Sequence, residues 1–414
     1  LDISGNVIRW PETGLRKTEP QGSPTQPVSK RLHRRSPFLI LLAVLPSMFI
    51  RSPLASQTTP LLDWYSIYDG PAHAVDIETA AALDLAGNFY VAGRSSGEFS
   101  GQDYAILEFS PGGEQLQTIR IDGSANHWDE PVGLIGNSSG FTVTGTSYLN
   151  SSLSTMLTLR YDSSGSLQWR HRYPADSSSY SGAVAIESDQ EGNIYVGGFP
   201  DFTIVKYSPE GSELWARTYR NDSSMVQSLN DVAVGPDGIV YATGIVSEEC
   251  PEGLCRYDMV TMQYSADGTL KWLKRFTVST DSDEQPVAMR LDGAGDLYVI
   301  ADGYDSTGES SLLLKYTPDG ELLWFRSYDG TSAVDLPAAI AIDGDQNVVI
   351  AGTTWTTEPF NFSVVKYSSS GDLLWSTEYG RSPETRDFAY GLAIDSTDNV
   401  YVTGGSRVGF LGPD

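Results

Sequence analysis

The stretch "YTPDGELLW" at 316–324 decides the fold, because the chain writes it again and again with small changes. Copies are "YDSSGSLQW" (161–169), "YSPEGSELW" (207–215), "YSADGTLKW" (264–272) and "YSSSGDLLW" (367–375). A worn copy, "FSPGGEQLQ" (109–117), puts Gln117 where Trp is expected. The residues before the aromatic, such as "FTIVK", "SLLLK" and "FSVVK", are strand-like, so each phrase reads as a hairpin. Pro at the second turn position and Gly at the fourth fit a type I turn closed by a glycine bulge. That geometry predicts Tyr207 and Trp215 as diagonal neighbours on one face of the hairpin.

A second strand pair precedes each phrase. Examples are "AVAIESDQEGNIYVGG" (183–198), "AIAIDGDQNVVIAG" (339–352) and "GLAIDSTDNVYVTGG" (391–405). Four short strands, A to D, recurring along the chain are the pattern of a propeller blade. A lone four-stranded sheet exposes both faces, and stacking blades in a ring buries them. The phrase is therefore a packing device, its Tyr and Trp filling the wedge between blades.

Six complete A-to-D units run from Ala80 to Tyr379. "LLDWYSIYDG" (61–70), with Trp64 in register, reads as a D strand alone, and the last residues read as an A and a B strand. Together they predict an all-β, seven-bladed propeller of four-stranded antiparallel blades, its ring closed by the N-terminal D strand pairing with the C-terminal A–B strands. Strand C of that blade is missing, so the reading takes the last blade as truncated at Asp414. Closure would leave no sheet edge open.

The repeat resembles the SBBP family of bacterial seven-bladed β-propeller repeats. The residues that carry the likeness are A-[IV]-D-x-x-[GD]-N-x-Y-V-x-G followed by [VL]-K-Y-x-x-x-G-x-L-x-W, as at 341–352 and 365–375. It extends over nearly all of 61–414 and departs at Gln117 and in the "GLIGNSSGF" turn at 133–141. The resemblance implies an exported propeller acting as a binding or scaffold module.

Composition agrees. The 414 residues include 41 Gly and 11% aromatics, a balance for many strands and tight turns rather than for disorder. Of 27 basic and 53 acidic residues, eight and three lie in 1–57, which leaves 19 against 50, a net of −31, on the rest. A surface this acidic repels phosphate backbones and argues against a nucleic-acid partner.

The N-terminus divides in two. Residues 1–29 are rich in Pro, Gly and Ser and are expected to be disordered or an over-extended leader. "KRLHRRSPFLILLAVLPSMFIRSPLASQ" (30–57) has the basic, apolar, small order of a secretory signal peptide, with an uncleaved anchor and a buried strand as alternatives. Its apolar run, Phe38 to Ile50, is shorter than the roughly 20 residues a membrane span needs. The expected mature unit, 58–414, is then an exported propeller, secreted, periplasmic or at the cell surface, monomeric and without a membrane span. In that setting Cys250 and Cys255 are candidates for a small loop disulfide.

A–B and C–D turns are short, whereas D-to-A linkers and B–C loops are long and share one face. Long loops on a rigid scaffold are where binding concentrates. The candidate residues on that face are His73, His127, Trp128, Asp129, Glu130 and Trp355. His73, His127 and His171 come from adjacent junctions and could converge on a metal, though solvated loop histidines are the plainer reading. The linker Asp281-Ser282-Asp283-Glu284 offers oxygen ligands for calcium but lacks the spacing of a calcium loop, so no cofactor is expected. No G-x-S-x-G elbow or phosphate loop occurs. Ser265-Ala266-Asp267-Gly268 fails the Asp-box pattern of sialidases by one residue. The Gly-x-Leu-x-Trp ending also looks like the blades of quinoprotein dehydrogenases, but Cys250 and Cys255 are not adjacent. The expected function is non-catalytic binding of a protein or glycan, with a hydrolase or lyase on the long-loop face as the alternative and a structural spacer as a third reading.

Overall fold

In the computed structural model, the residues described are 4–8, 38–40, 43–45 and 66–408, except 69, 73–75, 85–86, 98–100, 123–126, 138, 175–179, 222–225, 248–255, 280–281, 306–307, 329–333, 356–359, 381–384 and 396–397. His73, Trp64, Cys250, Cys255 and most of 30–57 lie outside them, and of Trp355 only the backbone is described. Among the described residues no helix is long and apolar enough to cross a membrane.

The fold is an all-β propeller of six four-stranded antiparallel blades and a two-strand partial one. Blade 1 consists of strands A to D at Asp76–Leu83, Phe89–Ser96, Gln102–Phe109 and Gln115–Ile121. Blade 2 follows at Asp129–Asn137, Gly140–Tyr148, Ser154–Asp162 and Leu167–Tyr173. Blades 3 to 6 occupy 182–219, 226–276, 283–328 and 334–379. The partial sheet pairs Thr385–Ile394 with Val400–Val408. It lies between blades 6 and 1, since Tyr401 and Val402 share one apolar cluster with Phe89 and Phe109 of blade 1 and Val349 and Phe362 of blade 6. The outer edge of Val400–Val408 is met by Ser4–Ile8 and Ala43–Leu45. The strand expected at 61–70 is present as Ser66–Tyr68, and it pairs with Phe38–Ile40 instead of joining that sheet.

The repeated polar residues serve the short-turn face. Asp189 accepts the backbone N–H of Asn193 at 2.8 Å, its side-chain amide at 2.7 Å and the Tyr195 hydroxyl at 2.9 Å. Lys206 of strand C lies 3.6 Å from the same carboxylate and over the Tyr195 ring. Burial pushes the Asp189 carboxyl up, but these hydrogen bonds and the Lys206 charge outweigh it and hold it below the usual range. Asp343 with Asn347 and Lys366, and Asp395 with Asn399 and Tyr401, repeat the arrangement. The Asp, Asn, Tyr and Lys of the motif thus satisfy one another in the interior, where an unpaired charge would be costly.

The Tyr and Trp of the phrase do fill the wedges, but from opposite faces. Lys206 stands opposite Trp215, and the ladder slips by one residue before Tyr207. Tyr207 therefore points away from Trp215, which corrects the diagonal pairing expected from sequence. Trp215 packs edge-on to Tyr195, and Tyr207 packs on Trp169 of the preceding blade, ring centroids 6.0 Å apart. The glycine bulge is the cause: one extra residue in strand D inverts side-chain parity beyond it.

Candidate functional site

The long-loop face carries its densest described chemistry at the seam between blades 1 and 2. Trp128 ends the linker and is 61% exposed. Its carbonyl accepts the N–H of Tyr148 at 3.0 Å, which fixes it against the end of strand B in blade 2. The Tyr148 hydroxyl lies 3.3 Å from that of Tyr180, itself 51% exposed. The Tyr148 hydroxyl is pushed up to about 12, first by its bond to Tyr180 and then by burial. Glu130 pairs with Arg94 of blade 1 at 2.9 Å. His127 precedes Trp128 and is half-buried.

Asp129 turns the other way and is fully buried. One of its carboxylate oxygens lies within 4.8 Å of oxygens from Asp103, at the start of strand C in blade 1, and Asp122, just after strand D. Arg120 binds Asp103 at 3.1 Å and also reaches the Ser95 hydroxyl and Tyr68. Arg172 occupies the matching place in blade 2, bonded to Ser147 and Thr155. Tyr104 is buried beside them. Burial raises its hydroxyl well above the ordinary tyrosine value, Asp129 and Glu130 add to this, and Arg172 opposes it.

The structure thus brings together His127, Trp128, Asp129 and Glu130 and leaves Trp355 on blade 6. His171 is stacked on Tyr207, on the seam between blades 2 and 3, and the histidines enter no metal-sized cluster among the described residues. In the acidic linker, Glu284 accepts the N–H of Val278 at 3.0 Å, and Asp283 accepts that of Tyr257 at 2.9 Å. Those carboxylates tie down loops. Sequence reading missed Asp103, Asp122, Tyr104, Arg120 and Arg172. The one available signal was the Arg recurring just before the linker in strand D of blades 1, 2 and 4, as Arg120, Arg172 and Arg275.

A second polar group lies at the centre, on the A strands of blades 3, 4 and 5. Arg290 reaches Glu187, two blades away, at 3.4 Å and Asp231 at 3.6 Å. Asp231 also accepts the N–H of Met289 at 2.7 Å. Burial pushes the Asp231 carboxyl up to about 6 against the opposing charge of Arg290, and burial raises Glu187 too. Arg290 keeps 41% of its side-chain surface. A narrow cleft between blades 5 and 6 is lined chiefly by apolar groups such as Ile300, Leu312 and Ile350.

Residues 374–410 match the SBBP β-propeller repeat. The class defined by the fold is an all-β propeller, and the matched segment alone is similar to the SBBP repeat. No curated protein matches the sequence. Solved structures match its fold. An ulvan lyase bound to a GlcA–Rha3S glycan is 11% identical, with a TM-score of 0.56 over 78% of this chain and 92% of that one. Virginiamycin B lyase from Staphylococcus aureus is 12% identical, with a TM-score of 0.50 over 79% and 94%. The periplasmic gluconolactonase of Pseudomonas aeruginosa is 14% identical, with a TM-score of 0.50 over 83% and 97%. At such identities the likeness is one of fold.

Proposed function

We propose that this chain is an exported, seven-bladed propeller that binds a glycan without acting on it, through the long-loop face at the seam of blades 1 and 2. One observation carries the reading: Trp128, Tyr148 and Tyr180 gather beside the Arg94–Glu130 pair. Aromatic rings present apolar faces to the C–H faces of sugar rings, and Tyr and Trp do so at little entropic cost. The charged pair at the rim supplies donors and acceptors for hydroxyls. A rigid blade stack preorganises the patch. Ring closure belongs to the same proposal: the partial sheet completes a seventh blade.

Affinity electrophoresis in gels containing neutral or anionic polysaccharides tests this. The full chain should be retarded by at least one of them. Trp128→Ala and Tyr148→Ala should run unretarded while melting at the wild-type temperature. Retention of binding by both variants, or no retardation in any gel, would sink the proposal. Release of shortened fragments would show a lyase or hydrolase instead.

A further inference from the structure

The seam of blades 1 and 2 assembles three carboxylates that the chain keeps apart. Asp103, Asp122 and Asp129 each contribute one oxygen to a group whose members lie within 4.8 Å of one another. Oxygens that ligate one calcium ion at about 2.4 Å can be separated by at most twice that distance. The three therefore lie close enough to share an ion after an adjustment of at most about 0.4 Å. Two of them are buried, and Asp122 is exposed, which leaves an entry path from the long-loop face.

Tyr104 points to the same place independently. It is 0% exposed, and its hydroxyl has no hydrogen-bond partner. It packs from blade 1 against Leu134 and Phe141 on strands A and B of blade 2, and Asp129 begins that strand A. The hydroxyl lies 2.4 Å from where a Cβ on Gly145 would sit, and the Glu130 carbonyl oxygen lies 2.1 Å from that same point. Leaving a buried hydroxyl unbonded is costly, so such a group in a polar seam marks a place for a ligand. Arg120 and Arg172 offset part of the acidity. Each carboxylate has two oxygens, so Arg120 and an ion can share Asp103.

We propose that this seam is a site for a hard divalent cation, calcium foremost, held by Asp103, Asp122 and Asp129 with the Tyr104 oxygen as a neutral fourth donor. An all-oxygen donor set without His or Cys selects calcium, magnesium or manganese over zinc or copper. The ion would join strand C of blade 1 to strand A of blade 2. The proposal stands whether or not the neighbouring aromatic patch binds a glycan.

Terbium luminescence of the chelator-treated full chain tests it, excited through Trp and Tyr and titrated back with calcium. The expected result is one saturable signal that calcium displaces. Asp122→Asn, at an exposed position, should weaken binding roughly tenfold or more, since affinity follows ligand charge. Asp283→Asn, an acid outside the seam, should bind as wild type. Tyr104→Phe should weaken binding without lowering stability in chelator, because the hydroxyl it removes is unbonded there. Asp129→Asn should abolish the signal, and if it fails to fold, Asp122→Asn decides. Wild-type affinity in Asp122→Asn would place the ions elsewhere on the acidic surface and overturn the site, as would the absence of saturation up to about 1 mM, the weak end of extracellular calcium modules. Unchanged affinity in Tyr104→Phe would remove the fourth donor.

Discussion

Trp169 donates its indole N–H to the carbonyl of Pro209, 2.9 Å away in the C–D turn of the next blade. Trp215 does the same to Ala266 at 3.0 Å and Trp272 to Pro318 at 3.1 Å. Three of the five phrase tryptophans therefore latch onto the turn of the following phrase, joining blades 2 to 5 in series. Trp169→Phe keeps a ring on Tyr207 and removes the bond, so it should cost about 1 kcal/mol. Trp215→Phe should cost less, because its bond is exposed to water. Urea midpoints with unchanged m-values would measure both. Equal, negligible losses would mean that the latches only accompany ring packing.

Turn glycines meet two demands at once. Gly211 has φ +89°, and a Cβ there would sit 2.7 Å from Cγ of Trp169. Gly211→Ala should thus destabilise by roughly 1–3 kcal/mol through strain and displacement of that ring. Gly112 stands in the turn of blade 1, where a Cβ meets nothing nearer than the Ser110 hydroxyl at 3.7 Å. Gly112→Ala should stay within about 0.5 kcal/mol of wild type. Thermal melts of the pair separate a shape requirement from a mere preference for glycine in turns.

Gln117, the worn position, has its own compensation. It stands opposite Glu108 and donates to it, where the other phrases set Trp opposite Lys, Arg or Gln. Glu108 also accepts the Tyr90 hydroxyl at 3.0 Å, so it has taken part of the role that Asp189 plays toward Tyr195. Glu108→Lys with Gln117→Trp should therefore be more stable than the sum of the single changes, with a coupling of about 0.5–3 kcal/mol. A double-mutant cycle by urea unfolding measures it, and additive effects would show the two positions to be independent.

These cases show what a sequence can carry. The hairpin phrase and the Asp, Asn, Tyr and Lys positions were legible because each repeats at fixed spacing. The facing of Tyr207 was not, because one bulge residue inverts parity without changing the pattern of letters. The exposed run His127 to Glu130 was legible as a local cluster of chemistry. The group behind it was not, because Asp103, Asp122, Tyr104 and Arg172 approach Asp129 only when two blades pack. Asp129 was counted with its neighbours on the surface, yet strand alternation turns it inward.

The central triad makes a prediction with a definite sign. The Asp231 carboxyl sits at about 6 in the folded protein, against an ordinary value of about 4. The folded state therefore binds more protons than the unfolded state between those values, and Asp231 makes stability fall as pH rises through that window. Asp189 contributes with the opposite sign, since its carboxyl is held low, and that contribution is lost on acidification. Asp231→Asn leaves Asp189 untouched, so the difference between wild-type and variant stability curves isolates the triad. Wild type should lose stability relative to Asp231→Asn from pH 4 to pH 6, with a flat difference above about pH 7. Urea unfolding across that range reads the slope. A difference that rises instead would mean that the attraction of Arg290 outweighs burial at the centre of the ring.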